Sequence, residues 1–129
     1  MRRLKRTEID DFKREQLALQ KFRCPICGGP LGPNLGPDVV LDHDHTLGFC
    51  RAVLCRNCNG IEGKIRNLCT RGRRGRPYVE FLRRIARYWE IFEEIGHNRP
   101  LHPLHKTPDE KRELRNKRAR EKRRKAKEG

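Results

Sequence analysis

A chain of 129 residues that is 34% hydrophobic and 38% charged has room for one small domain with tails, and too little apolar material for a large core. Its net charge of +15 points to a polyanionic partner, with a basic but unpartnered surface as the plainer alternative. No apolar run is long enough to span a membrane, and the basic start from Met1 to Arg6 is not followed by the apolar stretch of a secretory signal. The expected location is therefore the cytoplasm, where thiols stay reduced, and six cysteines there speak for metal ligands over disulfides.

In chain order, the first predicted element is a helix from Thr7 to about Phe22, with Thr7 as N-cap and Asp10 as a weak capping-box partner. Ile9, Phe12, Leu19 and Phe22 would form its apolar stripe, and packing is its expected role. Gly28 to Pro37 is turn chemistry and reads as loop. Val39-Val40-Leu41 is a β-type run leading into Asp42-His43-Asp44-His45. Thr46-Leu47-Gly48 is a turn, Phe49 to Leu54 a returning strand, and Asn57 to about Leu68 a helix. Arg71 to Pro77 reads as a basic linker. Tyr78 to about Ile95 reads as a second strong helix, with Phe81, Leu82, Ile85, Trp89, Phe92 and Ile95 at helical spacing and Gly96 as C-cap. Pro100, Pro103 and Pro108 interrupt the next stretch. Asp109 to Lys127 favours a helix but has almost nothing to bury, so it is either a solvated helix or unfolded until it meets an anion.

The basic excess lies outside the centre. From Cys24 to Leu68, Arg51, Arg56, Lys64 and Arg66 are balanced by Asp38, Asp42, Asp44 and Glu62. All the cysteines but Cys69 fall in this stretch. Cys24-Pro25-Ile26-Cys27 and Cys55-Arg56-Asn57-Cys58 are paired CxxC knuckles, each placing two thiolates on one side of a tight bend, and together they complete a tetrahedral zinc shell. A redox dithiol would need only one pair, in a βαβ setting that is absent; buried free thiols are the remaining alternative. A closed four-thiolate shell leaves no open position, so such a zinc ion is structural. Cys50 and Cys69 are left as packing residues or bystanders.

Leu41-Asp42-His43-Asp44-His45 concentrates titratable groups on one strand end. A solvated turn or a His/Asp metal site would account for it. So would chemistry, because the second knuckle opens a helix whose first turn carries Asn59 and Glu62. Hydrolysis of a phosphodiester needs a base near neutrality, a hard divalent cation on oxygen ligands and cationic groups for the backbone. His43 suits the first role, and Asp42 and Asn59 suit the second. Strict strand alternation would send Asp42 and His43 to opposite faces, so the strand must end or twist there, or the metal and base must approach from different sides.

The motifs CPIC (Cys24 to Cys27), LDHDH (Leu41 to His45) and CRNCNGIEGK (Cys55 to Lys64) resemble, in composition and order, those of phage recombination endonuclease VII, a family of His-Me finger nucleases. The resemblance covers about a third of the chain, from Cys24 to Lys64. It implies an α+β fold with a small ββα-metal core held by the four-cysteine zinc site and flanked by N- and C-terminal helices. The corresponding domains are 1–23, 24–70 (nuclease core), 71–77 (linker), 78–97 (packing or dimerisation helix) and 98–129 (basic tail). It implies zinc on Cys24, Cys27, Cys55 and Cys58, magnesium (with manganese as a substitute) on Asp42 and Asn59, and His43 as general base, with His45 and Glu62 nearby. The implied activity is cleavage of branched DNA, such as four-way junctions, in phage DNA processing in the host cytoplasm, by a protein whose relatives include a homodimer. Arg71, Arg73, Arg74, Arg76, Lys122, Arg123 and Arg124 are the expected phosphate contacts, which give salt-dependent affinity without reading sequence. A duplex-nicking HNH-type nuclease and a non-catalytic zinc-ribbon DNA-binding protein are the alternatives. His97, His102 and His105 read as isolated surface histidines.

Overall fold

The computed structural model describes residues 2–129. It combines α-helices with one two-stranded antiparallel sheet. The elements are α1 (Ile9–Leu19), β1 (Val39–His43), β2 (Cys50–Cys55), α2 (Arg56–Gly72), α3 (Tyr78–Ile95) and α4 (Pro108–Glu128). The chain forms two compact units, one ending at Arg84 and the other Ile85–Gly129.

The first helix starts differently from expectation. A 3-10 turn over Arg6–Glu8 precedes α1, with Lys5 as N-cap and the Glu8 side chain bonding back to its backbone; Thr7 does not cap. The Glu8 carboxylate reaches back to the Lys5 backbone N–H at 2.7 Å and also pairs with Arg2 at 2.9 Å, which is why the helix start shifts to it. The far end also stops short of Phe22. Lys21 and Phe22 take left-handed backbone angles, φ 53° and 55°, to steer Cys24 into its knuckle. Leu19 is at 77% exposure and Phe22 partly exposed, whereas Leu17 is the α1 residue that reaches the core, at 1%.

The hairpin forms where the β-branched run Val39-Val40 begins. Val39 pairs with Cys55, Val40 with Leu54 and Leu41 with Val53, but His43 pairs with Cys50. Between those last two pairs β2 carries one residue more than β1, so Arg51 and Ala52 together oppose Asp42. Such an extra residue bends a strand and redirects its side chains. The core beneath is small: Leu17, Leu31, Val39, Val53 and Leu54 with Cys24 and Cys58, joined by Leu35, Leu41, Ala52 and Cys55. Burial on this scale is a weak foundation for a fold, and polar clasps supplement it. The Gln20 amide accepts from Val53 N–H and donates to Val53 C=O, both at 2.8 Å, so one side chain acts as a strand partner and docks α1 on β2. Lys13 Nζ donates to Val39 C=O at 2.9 Å.

α2 runs on to Gly72, through the start of the expected basic linker. Thr70 sustains its last turn by bonding the Arg66 carbonyl and the Tyr78 hydroxyl, and Arg66 and Arg73 each lie 4.0 Å from the centre of the Tyr78 ring. In the second unit, Trp89, Phe92 and Ile95 of α3 are exposed, and Tyr88 and Phe92 rings meet at 4.9 Å. A short 3-10 turn over Gly96–Asn98 follows α3. α4 is helical throughout, opened by Pro108 after a Thr107–Glu110 capping box, and has no buried residue. Among the described residues, no helix is long and apolar enough to cross a membrane.

Candidate metal centre and acid–imidazole site

The four knuckle cysteines converge, with all Sγ atoms within 4.8 Å of one another. Cys27 Sγ and Cys55 Sγ are 4.0 Å apart. A tetrahedral zinc ion with Zn–S near 2.3 Å needs sulfur-to-sulfur edges of about 3.8 Å, so the four thiols fit that ion. Local backbone geometry produces the convergence. Gly28 N–H bonds the Cys24 carbonyl and Cys24 N–H bonds the Gly29 carbonyl, closing the first knuckle. The second is the N-terminus of α2, where Cys55 is N-cap and its sulfur accepts from Cys58 N–H at 3.4 Å; Cys27 accepts from Gly29 N–H at the same distance.

Electrostatics within the cluster are uneven. Burial pushes the Cys24 thiol up, but the backbone N–H groups of Cys27, Cys55 and Ile26 outweigh it and bring the pKa to about 6. Cys58 is pushed up to about 12, chiefly by its hydrogen bond to Cys55 and then by burial. Cys24 thus ionises readily while Cys58 resists further negative charge, and a bound cation removes that resistance. All six cysteines are free thiols; Cys50 is exposed and Cys69 buried.

A second cluster lies on the hairpin and α2. Ligand-capable atoms of Asp42, His45 and Glu62 lie within 4.8 Å of one another. Asp42 is the buried charged residue of the core region, at 7% exposure. The His43 ring is on the exposed side of β1, tilted against the His45 ring at a centroid distance of 5.3 Å. It lines an open groove of about 1280 Å³ together with Arg3, Lys13, Leu41, Phe49 and Cys50. Asp42 and His43 therefore do diverge, and His45, arriving after the strand ends, lies by the two carboxylates and meets the His43 ring. Asn59 is half-buried one helical turn before Glu62, on the same face of α2.

Three residues matter here to which motif reading gave no role. Asp44 is a turn clamp: its Oδ1 accepts from Thr46 and Leu47 N–H at 2.9 and 2.7 Å, and these bonds lower its pKa. Gln20 is the strand clasp described above. Arg51 joins the two carboxylates, its Nε donating to Asp42 Oδ2 at 2.6 Å and its Nη2 lying 2.9 Å from Glu62 Oε1. The Asp42 hydrogen bond is the main cause that raises the Arg51 pKa. The charge balance of the central segment was the one available signal for such a pairing. Glu62 Oε2 is buried without a hydrogen-bond partner, as is Arg51 Nη2 in geometric terms. An unpartnered buried carboxylate oxygen beside a second carboxylate and an imidazole is a donor set that suits a divalent cation.

The expected phosphate contacts lie in separate elements. Arg71 ends α2 and Arg74 and Arg76 are exposed after it, while Arg73 is half-buried, bonded to the Arg76 carbonyl at 2.7 Å and stacked on Tyr78. Lys122, Arg123 and Arg124 are exposed on α4. A family model described as recombination endonuclease VII matches residues 1–91.

Proposed function

Because the chain belongs to the recombination endonuclease VII family, we propose that it is a zinc-stabilised, metal-dependent endonuclease that hydrolyses phosphodiesters of branched DNA through a ββα-metal (His-Me finger) core. The observation that carries this reading is the convergence of Asp42, His45 and Glu62, with the His45 ring meeting that of His43, which lines a groove. The knuckle cysteines hold a structural zinc ion, whose closed thiolate shell fastens the loop before β1 to the start of α2. Asp42 and Asn59 would hold magnesium, with the Glu62 carboxylate and the His45 ring, which lie close to Asp42, as further donors. When bound, magnesium supplies positive charge against the scissile phosphate and the departing oxygen.

This chain's own residues do the rest. His43 takes the proton from the attacking water; its exposure on the groove side supports that role. His45, by the carboxylates and the His43 ring, orients the phosphate. The basic residues from Arg71 to Arg76 and on α4 hold flanking phosphates, at a cost in affinity as salt rises.

The test is incubation with supercoiled plasmid and with a synthetic four-way junction, in magnesium and in chelator, beside His43→Ala and Asn59→Ala. Magnesium-dependent cleavage lost in both variants, and paired cuts at the junction with little attack on linear duplex, are expected. Equal nicking of plain duplex would make the protein an HNH-type nicking enzyme. Intact DNA under every condition with a clean mobility shift would make it a zinc-ribbon binding protein.

A further inference from the structure

We propose that Arg51 is a positioning residue that acts as the built-in counter-cation of Asp42 and Glu62, holding the two carboxylates together and setting how tightly they take up a divalent metal ion. This rests on the reading of that cluster as a metal site, and goes beyond it by assigning a role to a residue that does not line the His43 groove.

The bulge in β2 is what makes the contact. Two β2 residues face Asp42 alone, so Arg51 comes onto the same face as the buried carboxylate and does not alternate away from it. Its guanidinium then spans two elements, bonding Asp42 on β1 at 2.6 Å and meeting Glu62 on α2 at 2.9 Å. Asp42 and Glu62 side chains retain only 8% and 24% exposure, and Arg51 27%, so solvent screens their repulsion poorly. Without a cation between them, two carboxylates at that depth would force the hairpin and α2 apart. Lysine, a point charge without a planar fork, cannot serve both at once.

The pairing is also incomplete in an informative way. Arg51 Nη2 is close to Glu62 but not aligned for a hydrogen bond, and Glu62 Oε2 has no partner at all. Asp42 is thus firmly held while Glu62 keeps a free oxygen. A divalent ion entering this cluster shares Asp42 and Glu62 with Arg51 and meets its positive charge. A residue that merely props up the site would, when removed, misplace the ligands and weaken metal binding. A counter-cation, when removed, leaves stronger negative potential and tightens it. The two roles predict opposite signs.

The experiment measures manganese binding to the zinc-loaded full chain, by the paramagnetic signal of free Mn2+, in the wild type, Arg51→Gln, Arg51→Lys and Asp42→Asn. Arg51→Gln should bind Mn2+ tighter by about tenfold or more. Arg51→Lys should bind it tighter by roughly threefold, because its charge stays but its fork is lost. Arg51→Gln should also melt lower without Mn2+ and gain more in melting temperature from it than the wild type does. If Arg51→Gln does not fold, Arg51→Lys carries the test by the same sign. Unchanged or weaker Mn2+ binding in the folded Arg51 variants, with loss in Asp42→Asn, overturns the counter-cation and leaves the nuclease reading intact. No Mn2+ binding to any form, the wild type included, overturns both.

Discussion

The thiol cluster and the acid–imidazole cluster both fall within the central stretch from Cys24 to Glu62 and are made in opposite ways. The thiol cluster is finished: its sulfurs meet at zinc-like spacing, two of them accept backbone N–H bonds, and two of its members belong to the core itself. The acid–imidazole cluster is left open, with a buried carboxylate at its base, an unpartnered oxygen on Glu62 and two tilted imidazoles leading to a groove. A site made to hold a fold together has every donor committed. On the proposed reading, the open cluster keeps donors uncommitted for metal and substrate, with Arg51 as an internal charge beside its carboxylates.

The largest test of this contrast is removal of the thiol site. With a core of few side chains, Cys24→Ser with Cys58→Ser, or exhaustive chelation of the thiol-bound metal, should abolish the cooperative melting transition in circular dichroism; binding at such sites is worth on the order of 10 kcal/mol of folding energy. Cys50→Ser, on an exposed thiol, should leave the transition where it was. Asp42→Asn should keep the bound zinc and the folded spectrum. Equal unfolding in both sites' variants would erase the distinction between a closed and an open cluster.

The closed cluster was legible in the sequence because its information is local: two CxxC turns fix their own geometry, and the adjacent β-branched run and helix followed in the expected order. The open cluster was only half legible. Asp42, His43, His45, Asn59 and Glu62 are conspicuous as residue types, but Arg51 looks like any exposed strand arginine until the bulge turns it inward. Asp44, as conspicuous as its neighbours, is occupied with closing the turn. Gln20 has no motif; its partner is Val53, and only the approach of α1 to β2 reveals it. Likewise Leu17 and Leu19 are indistinguishable by hydropathy, and being about 200° apart on α1 they face opposite ways, so the face docked on β2 decides which is buried.

Gln20 offers the next test. Gln20→Ala leaves the Val53 backbone N–H and C=O without partners next to a residue at 0% exposure, and should cost about 1–3 kcal/mol in denaturant unfolding. Gly32→Ala should cost somewhat less, about 1–2 kcal/mol. Gly32 has φ +79°, and an added Cβ would lie 3.1 Å from Leu17 Cδ1, so backbone strain and a tight contact act together under the helix that Gln20 anchors. If either variant instead lowers metal content before it lowers stability, the clasp belongs to the metal site and not to the core.

The smallest expected effect concerns the start of α1, farthest in role from both clusters. Hydrogen bonding to the Lys5 backbone N–H, and then to Arg2, holds the Glu8 carboxyl below its ordinary value of 4.5. A carboxyl whose pKa is depressed by folding stabilises the folded state fully at pH above its ordinary value, and that contribution is lost as the pH falls through the depressed one. Wild type and Glu8→Gln should therefore differ in melting temperature at neutral pH and converge in acid, with the difference small because the pair lies at the surface, where solvent screens it. A Glu8→Gln difference that persists unchanged into acid would mean the carboxylate charge is irrelevant, and that the helix start is set by side-chain shape alone.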